Sequence, residues 1–313
     1  MNIKGIGINV SAKRIDGNHE ILKNDLSYFE RIGLEYIELP IHGLDIIFNG
    51  KLQLNNLKNV LKLIKQFPFK YTVHAPTYLN LMNFEEESLH ITLFKSCIEF
   101  ANAIESEILV YHCGRFIPEE KFLINLGNSY ISTDKQKIMM KRERELLIEM
   151  AHYAEKYGVV ICLENARPYL DSDFYCYGEK LNLLAEQVRA INHKNIRVTL
   201  DLGHAYLASK RYNFNLIESI RNISLLIKHI HLHDNFGRLS ASYEKDQTEL
   251  LAVGKGDCHM PLGWGLIPFD QILPVVNNYN GVLMLELRPR YLQYLEDALF
   301  YLKSILKAQL IKG

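Results

Sequence analysis

The segment Lys228–Gly237 reads Lys-His-Ile-His-Leu-His-Asp-Asn-Phe-Gly and places a histidine at every second position. Alternate side chains of a β-strand share one face, so His229, His231 and His233 would point in the same direction. Neutral imidazole is a ready ligand for zinc, manganese and iron. One such histidine alone is more often a core or surface residue, but three in register with Asp234 behind them favour a metal site. We therefore interpret this segment as a metal-binding strand.

The chain repeats a simple order of short apolar strand, loop and amphipathic helix. The strands are predicted at Ile3–Val10, Tyr36–Pro40, Phe69–His74, Ile108–His112, Val159–Glu164, Ile196–Asp201, His229–His233 and Leu283–Leu287. The helices are predicted at Asn18–Ile32, Leu54–Gln66, Ser88–Ile104, Asp134–Tyr157, Tyr177–Ile191, Asn215–Leu226 and Tyr291–Ala308. Because each helical crossover returns the chain in the same direction, the strands should form a parallel sheet. Eight such units predict an α/β fold, a single (β/α)₈ TIM barrel that spans residues 1–313 as one domain.

Potential metal ligands recur at the ends of the predicted strands, which form the substrate-binding mouth of such a barrel. They are His74, His112, Glu164, Asp201 with His204, His231 with His233, and Glu286. A single strand-end carboxylate is more often a helix cap or an ion-pair member. Several carboxylates in one mouth would raise each other's pKa values, however, and a divalent cation removes that repulsion. The set as a whole therefore favours a metal centre.

Two connections are too long to be simple turns, Phe116–Thr133 after the fourth strand and Phe236–Gly265 after the seventh. Long structured loops after barrel strands usually carry function. The second loop contains Asp257-Cys-His259, whose two side chains would project to one side of an extended segment and could chelate a metal. A surface turn explains this local sequence equally well.

The charge composition argues against a general affinity for nucleic acid or anionic lipid, because 36 basic residues balance 36 acidic ones. No apolar run is long enough to span a membrane, and the N-terminus lacks the apolar core of a signal peptide. Five widely spaced cysteines without a Cys-x-x-Cys motif fit reduced thiols. We therefore expect a cytoplasmic protein without a membrane partner.

The motifs follow one another in a specific order. They are His74-Ala-Pro with Asn80-Leu81, His112-Cys-Gly, Glu164-Asn165, Asp201-Leu-Gly-His204, His231-Leu-His-Asp234, Asp257-Cys-His259 with Pro-Leu-Gly, and Glu286. In their order and strand placement the chain resembles the xylose isomerase-like TIM-barrel superfamily over nearly its whole length. That superfamily includes sugar-phosphate isomerases and epimerases as well as endonuclease IV.

The resemblance to the isomerase branch implies one divalent metal (Mn, Co, Mg or Zn) held by Glu164, Asp201, His231 and Glu286. It implies that Glu164 and Glu286 are the catalytic pair, which moves a proton on a sugar, a sugar phosphate or a related polyol through a metal-stabilised enediolate. The expected substrate-binding residues are Glu38, His74, His112, His204, His233, Arg238 and Trp264. The expected partner is a small sugar, with a homo-oligomer possible.

The resemblance to endonuclease IV implies instead a phosphodiesterase with two or three zinc ions that cleaves abasic-site DNA. Its ligand set would be His74, His112, Glu164, Asp201, His204, His231, Asp257, His259 and Glu286. The neutral composition and the lack of a Gly-rich turn after Asn9 favour the isomerase, as does Trp264 at a position that is usually acidic. A non-catalytic metal–sugar sensor is a third reading. Whether His231 or His233 is the ligand stays open, because a two-residue shift of the strand leaves the same face inward.

Overall fold

Eight parallel strands close into a barrel, which confirms the predicted TIM-barrel fold. The computed structural model describes residues 3–118, 121–122, 131–244 and 248–312. In chain order the barrel strands are β1 (Gly5–Asn9), β2 (Tyr36–Pro40), β5 (Lys70–His74), β6 (Ile108–His112), β7 (Val160–Glu164), β8 (Ile196–Asp201), β9 (Ile227–Leu232) and β10 (Val282–Leu285). A small antiparallel hairpin lies outside the barrel and consists of β3 (Ile47–Phe48) and β4 (Lys51–Leu52). The barrel closes by pairing β1 with both β2 and β10.

The helices surround the barrel and cover the outer face of the strands. They are α1 (Ala12–Ile15), α2 (His19–Arg31), α3 (Leu54–Ile64), α4 (Glu87–Ala103), α5 (Thr133–Glu155), α6 (Leu181–Ile191), α7 (Leu202–Tyr212), α8 (Leu216–Ile223), α9 (Glu249–Ala252), α10 (Phe269–Ile272) and α11 (Leu295–Lys312). Strands buried on both faces read as continuous apolar runs, which is why the sequence locates them well. Among the described helices, none is long and apolar enough to cross a membrane.

Helix α7 is a part of the fold that the sequence prediction omitted. It begins at Leu202, directly after β8, and the side chain of Asp201 caps it by accepting a hydrogen bond from the backbone N–H of His204 at 2.6 Å. Residues 202–209 are all buried, so the helix lacks the polar stripe on which recognition of an amphipathic helix depends. Its first turn carries His204 into the mouth of the barrel.

One carboxylate, that of Asp234, connects the two ends of the loop after β9 by hydrogen bonds. Asp234 Oδ2 accepts hydrogen bonds from the backbone N–H groups of Gly263 and Gly265 at 3.0 and 2.8 Å, and Oδ1 accepts one from Ile267 at 3.2 Å. A Cβ at residue 265 would collide with this carboxylate, so glycine is required there. Residues 245–247 of this loop lie outside the described residues, as do residues 119–120 and 123–130 of the predicted loop Phe116–Thr133.

Candidate metal centre

His231 lies at the centre of a group of three carboxylates at the C-terminal mouth of the barrel. Its Nδ1 is 3.0 Å from Glu164 Oε1, 3.3 Å from Glu286 Oε2 and 3.9 Å from Asp201 Oδ2. Ligands that each lie about 2.1 Å from a shared cation are roughly 3–3.4 Å from one another. The distances to Glu164 and Glu286 match the spacing of ligands that share a cation, whereas Asp201 lies somewhat farther away. Strands β7, β8 and β9 and the residue after β10 bring the four side chains together.

Glu38 lies below this group inside the barrel, with its side chain fully buried. Its Oε1 lies 2.8 Å from His231 Nε2 and accepts a hydrogen bond from Asn9 Nδ2 at 2.8 Å. Its Oε2 accepts hydrogen bonds from Thr72 Oγ1 at 3.0 Å and from His229 Nε2 at 2.9 Å. A metal-ligating histidine almost always gives its second ring N–H to such an outer partner. Glu38 thus orients His231 so that Nδ1 faces the three carboxylates.

His233 lies beside His231 in the same cluster, so the barrel brings both histidines to the mouth. Its Nε2 is 3.0 Å from Asp201 Oδ2 and its Nδ1 is 3.6 Å from Asp257 Oδ1. The ring stacks on His259 with a centroid distance of 3.9 Å. A Cβ at Gly203 would overlap the His233 ring, so glycine at that position makes room for it.

Three further histidines share one orientation. His74, His204 and His259 each donate a hydrogen bond from Nδ1 to a backbone carbonyl, at 2.7, 2.9 and 2.9 Å. This bond fixes the tautomer and leaves Nε2 facing a carboxylate. His74 Nε2 lies 3.3 Å from Glu164 Oε2, and His112 Nε2 lies 3.0 Å from the same oxygen. His204 Nε2 and His259 Nε2 lie 3.1 and 2.9 Å from Asp257 Oδ2.

An arginine that the sequence analysis did not single out lies against this second carboxylate. Arg167 Nη1 is 3.2 Å from Asp257 Oδ2 and 3.2 Å from His204 Nε2. A guanidinium is always protonated, so it places a fixed positive charge between these two residues. The side of the cluster around Asp257 therefore already holds a cation, whereas the ion-pair neighbours of Glu164 and Glu286 among the described residues are histidines.

The site balances buried carboxylates against histidines. Burial alone would raise the pKa of the carboxyl groups, but the facing histidines hold the pKa below its usual range at Glu38, Glu164, Asp201, Asp257 and Glu286. Burial would likewise lower the pKa of the histidines, but Glu164 raises that of His74 to about 9, and Asp201 and Asp257 raise that of His204 to about 10. The site thus pairs ionised carboxylates with protonated histidines. A divalent cation can bind such a site by displacing the histidine protons.

The buried oxygen and nitrogen atoms of the cluster give a second reason to expect a divalent cation. Several buried polar atoms at the mouth make no hydrogen bond, namely Glu164 Oε2, Glu286 Oε2, Asp257 Oδ1 and His233 Nδ1. Buried polar atoms are nearly always satisfied, and the two glutamate oxygens face imidazole nitrogens at 3.0–3.3 Å without a well-formed hydrogen bond, which leaves them able to bind a cation. Carboxylate oxygen and imidazole nitrogen together suit zinc, manganese or cobalt.

A cavity of about 570 Å³ opens above the cluster, within the size range of small-molecule sites. Of the residues predicted from sequence, it is lined by His74, His112, His204, Asp257, His259 and Glu286. The structure also places in its wall residues that the sequence analysis did not select: Lys13, His42, Arg167, Arg288 and Arg290. The only feature of the sequence that could have identified these five residues is their position, because each follows the end of a barrel strand within a few residues.

Four predicted substrate-binding residues do not line this cavity, and one of them is the fully buried His233 described above. Glu38 is enclosed in the barrel and contacts His229 and His231. Arg238 is exposed and donates a hydrogen bond to the carbonyl of Val253 at 2.9 Å. Trp264 packs on Tyr291 and Tyr294, with ring centroids 5.8 and 4.7 Å away. Trp264 is thus part of an aromatic cluster with these two tyrosines.

Fold and site together define a (β/α)₈ barrel with a carboxylate–histidine centre at its mouth. The chain belongs to the xylose isomerase-like TIM-barrel family, whose model matches residues 26–305. An uncharacterized protein of Methanocaldococcus jannaschii is 30% identical over 249 residues, which cover 77% of this chain and 73% of that protein. A second uncharacterized protein of that organism is 26% identical over 277 residues, 88% of this chain and 92% of its own length.

Solved structures share the fold over nearly the whole chain. A D-tagatose 3-epimerase-like protein matches with a TM-score of 0.72 and 24% identity, covering 98% of this chain and 99% of its own. The IOLI protein with a bound zinc atom matches with a TM-score of 0.66 and 20% identity, covering 96% of each chain. The 3-keto-D-glucoside 4-epimerase of E. coli matches with a TM-score of 0.65 and 17% identity, covering 96% of this chain and 99% of its own.

Proposed function

We propose that this chain is a divalent-metal-dependent isomerase or epimerase that acts on a sugar or a related polyol. The observation that carries the proposal is the approach of Glu164, Asp201 and Glu286 to within 4 Å of one nitrogen of His231. The names of the structural neighbours support it, because sugar epimerases recur among them. The five cysteines are all free and buried, which suits a reducing cytoplasm.

Glu164 and Glu286 are the proposed acid–base pair. Two strands separate β7 from β10 in the barrel, so the two carboxylates approach the centre from different sides. Glu286 lines the cavity, where its carboxylate can accept a proton from the carbon next to a carbonyl group. Glu164 lies on the other side, where it can return a proton to the opposite face or to the neighbouring carbon.

The remaining residues hold the reacting group in place. Glu164, Asp201, His231 and Glu286 would hold the cation, which supplies positive charge beside the carbonyl and hydroxyl oxygens and so lowers the cost of removing the carbon-bound proton. His74 and His112 line the cavity with Nε2 directed inward and can hydrogen-bond substrate hydroxyls.

Deuterium exchange tests this proposal directly. The chain, reconstituted with Mn²⁺ or Co²⁺, is incubated in D₂O with a panel of ketoses and followed by NMR. We expect one deuterium at the carbon that isomerises or epimerises, and loss of exchange in Glu286→Gln. Absence of exchange with every ketose, by a protein that holds its metal, would overturn the proposal.

A multinuclear phosphodiesterase remains the second candidate, and one observation favours it. His74, His204 and His259 all present Nε2 to carboxylates, as ligands of additional metals would. Arg167 argues against it, because its guanidinium takes the place beside Asp257 and His204 where another cation would lie. Two or three zinc ions per chain together with incision of an abasic-site duplex would establish this candidate.

A further inference from the structure

We infer that the N-terminal end of the barrel, opposite the candidate metal centre, holds a second binding site for a short hydroxy acid with its carboxylate and its hydroxyl at opposite ends. A cavity of about 530 Å³ opens there, within the size range of small-molecule sites. Its lining includes Lys4, which precedes β1, and Lys70, the first residue of β5. Its described lining residues include none of the proposed metal ligands or substrate-binding residues, so the inference is independent of the proposed function.

Two buried side chains of the cavity wall give their protons to Glu38, deeper in the barrel. His229 Nε2 and Thr72 Oγ1 donate hydrogen bonds to the same carboxylate oxygen, Glu38 Oε2, at 2.9 and 3.0 Å. His229 is 0% exposed and Thr72 is 3% exposed. Because Nε2 carries the proton, the neutral imidazole presents a lone pair at Nδ1. This inner end of the cavity therefore offers hydrogen-bond acceptors rather than donors.

The acceptor at His229 Nδ1 is not used within the protein. This nitrogen is buried and makes no hydrogen bond with the described residues, although buried polar atoms are nearly always satisfied. A ligand with a donor group would satisfy it. A hydroxyl suits this position better than an ammonium group, because moving a charge from water into the barrel interior costs far more than moving a hydroxyl.

The outer rim of the cavity carries the charge that attracts an acid. Its charged residues are three lysines and two glutamates, a net charge of +1, namely Lys4, Lys70, Lys228, Glu105 and Glu107. Lys4 pairs with Glu107 at 2.9 Å, and this hydrogen bond, together with the charges of Lys228 and Lys70, holds the pKa of Glu107 below its usual range. The three ammonium groups thus gather around one carboxylate. A single further carboxylate balances this rim, whereas a phosphate would carry excess negative charge.

The ammonium group of Lys70 lies over the cavity. Its Nζ is 5.7 Å from the centroid of the Tyr36 ring, which also lines the cavity. The lining further contains the buried apolar side chains of Ile108 and Val282, which suit a carbon chain between two polar ends.

The depth of the cavity sets the length of the ligand. Lys70 and Thr72 are two residues apart in β5, which separates their Cα atoms by roughly 6–7 Å. An extended chain of four single bonds of about 1.5 Å spans roughly 5 Å. A hydroxy acid of four carbons can therefore place its carboxylate at the rim lysines and its hydroxyl beside His229.

Calorimetry with 4-hydroxybutyrate and butyrate tests the site on the full, zinc-loaded chain. The two probes differ only in the terminal hydroxyl, and neither forms the five-membered chelate through which 2-hydroxy acids bind metals. We expect 4-hydroxybutyrate to bind at least about threefold more tightly than butyrate, because one neutral hydrogen bond is added.

Removal of two rim charges tests the other end of the ligand. In the double variant Lys70→Gln/Lys228→Gln the Kd of 4-hydroxybutyrate should rise at least about tenfold, because charge-assisted hydrogen bonds are lost. The matched control is Lys58→Gln/Lys62→Gln, which removes two exposed lysines of α3 that do not line the cavity. Its Kd should stay within about twofold of that of the parent chain.

A spectroscopic measurement locates the hydroxyl without relying on a rim variant. In the ¹⁵N-labelled, zinc-loaded chain the Nδ1 resonance of His229 is assigned by its absence from His229→Gln. A new hydrogen bond to an unprotonated imidazole nitrogen moves its resonance upfield. We expect 4-hydroxybutyrate to cause this shift and butyrate to leave the resonance in place.

Four results would overturn the inference. They are equal Kd values for the two acids, a Kd that is unchanged in the rim variant or rises equally in the control, a His229 resonance that does not respond, and binding that disappears when the zinc is chelated. Tighter binding of 4-aminobutyrate than of 4-hydroxybutyrate would assign the inner end to an ammonium group and overturn the hydroxy-acid form. None of these measurements requires turnover, so failure of the isomerase proposal leaves their outcome unaffected.

Discussion

Replacement of Glu38 by glutamine tests whether the buried carboxylate below the proposed metal centre strengthens metal binding there. Glu38 is fully buried and receives donors from Asn9, Thr72 and His229, with His231 Nε2 at 2.8 Å. An amide of the same size offers one acceptor oxygen and one NH₂ donor. The NH₂ group must face two of these four groups, so either Asn9 and His231 or Thr72 and His229 lose their acceptor oxygen.

The expected magnitude follows from the role of outer partners of metal ligands. Loss of such a partner typically weakens metal binding by about 10–100-fold, which corresponds to roughly 1.4–2.7 kcal/mol. We therefore expect Glu38→Gln to raise the Kd for Co²⁺ by that factor. Isothermal titration gives the Kd, and the visible absorption of bound Co²⁺ reports whether the histidine ligand has changed.

Glu143→Gln is the matched control for this measurement. Glu143 is also a fully buried carboxyl, but its partners are Gly114, Tyr111 and Gln187 rather than a residue of the centre. Its metal affinity should equal that of the parent chain. If Glu38→Gln binds Co²⁺ as tightly as the control, with the same spectrum, the reasoning about Glu38 is refuted. Urea unfolding of both metal-free variants separates any general loss of stability from the effect on the metal.

The remaining predictions concern catalysis, metal number and pH. Glu286→Gln should weaken Mn²⁺ binding, because Glu286 is a proposed ligand, and should also lower kcat at saturating Mn²⁺ by at least about 10²-fold, the usual contribution of a general base; full activity at saturating Mn²⁺ would assign Glu286 to metal binding alone. Arg167→Met should raise zinc bound per chain from one to two, measured by elemental analysis, because it removes the cation beside Asp257 and His204; an unchanged stoichiometry contradicts that reading of Arg167. Burial raises the pKa of Glu143 to about 7 from an ordinary 4.5, so the folded state holds its proton between these values while the unfolded state has lost it. Stability should therefore fall as pH rises from about 4.5 to 7, by up to about 3 kcal/mol, and Glu143→Gln should flatten that slope in urea unfolding; parallel pH profiles for variant and parent would show that Glu143 does not cause it.

The barrel could be predicted from sequence because most strands are short apolar runs that end in or near a histidine, aspartate or glutamate. Strands β2, β6 and β8 have the predicted bounds, since turn residues and helix starts delimit them. Helix α7 escaped recognition because it is buried on all sides in its first two turns. The helix predicted at Asn215–Leu226 is real but shorter, and ends at Ile223.

The sequence indicated which residue types form the site, but not in which layer of the barrel each side chain lies. Alternation shows that Glu38 points into the barrel, yet only the relative shift of the strands decides whether it faces the substrate or lies a layer below. The same uncertainty concealed the separate positions of His231, which lies closest to Glu38 and Glu164, and His233, which lies closest to Asp201. Arg167 was missed for another reason, because an arginine three residues beyond a strand end has no periodic signature.

The anchoring of the loop after β9 by Asp234 has a consequence for protein engineering. The carboxylate joins the start of this excursion to residues 263–267 at its end, so the two ends meet at one point on the barrel rim. A segment whose ends are already held together can be shortened, lengthened or exchanged at little entropic cost. An exchanged loop must keep Asp257 and His259, which contact His204 and His233 in the candidate centre. Grafting loops that keep these two residues onto this fixed base offers a route to new substrate preferences while the eight strands stay unaltered.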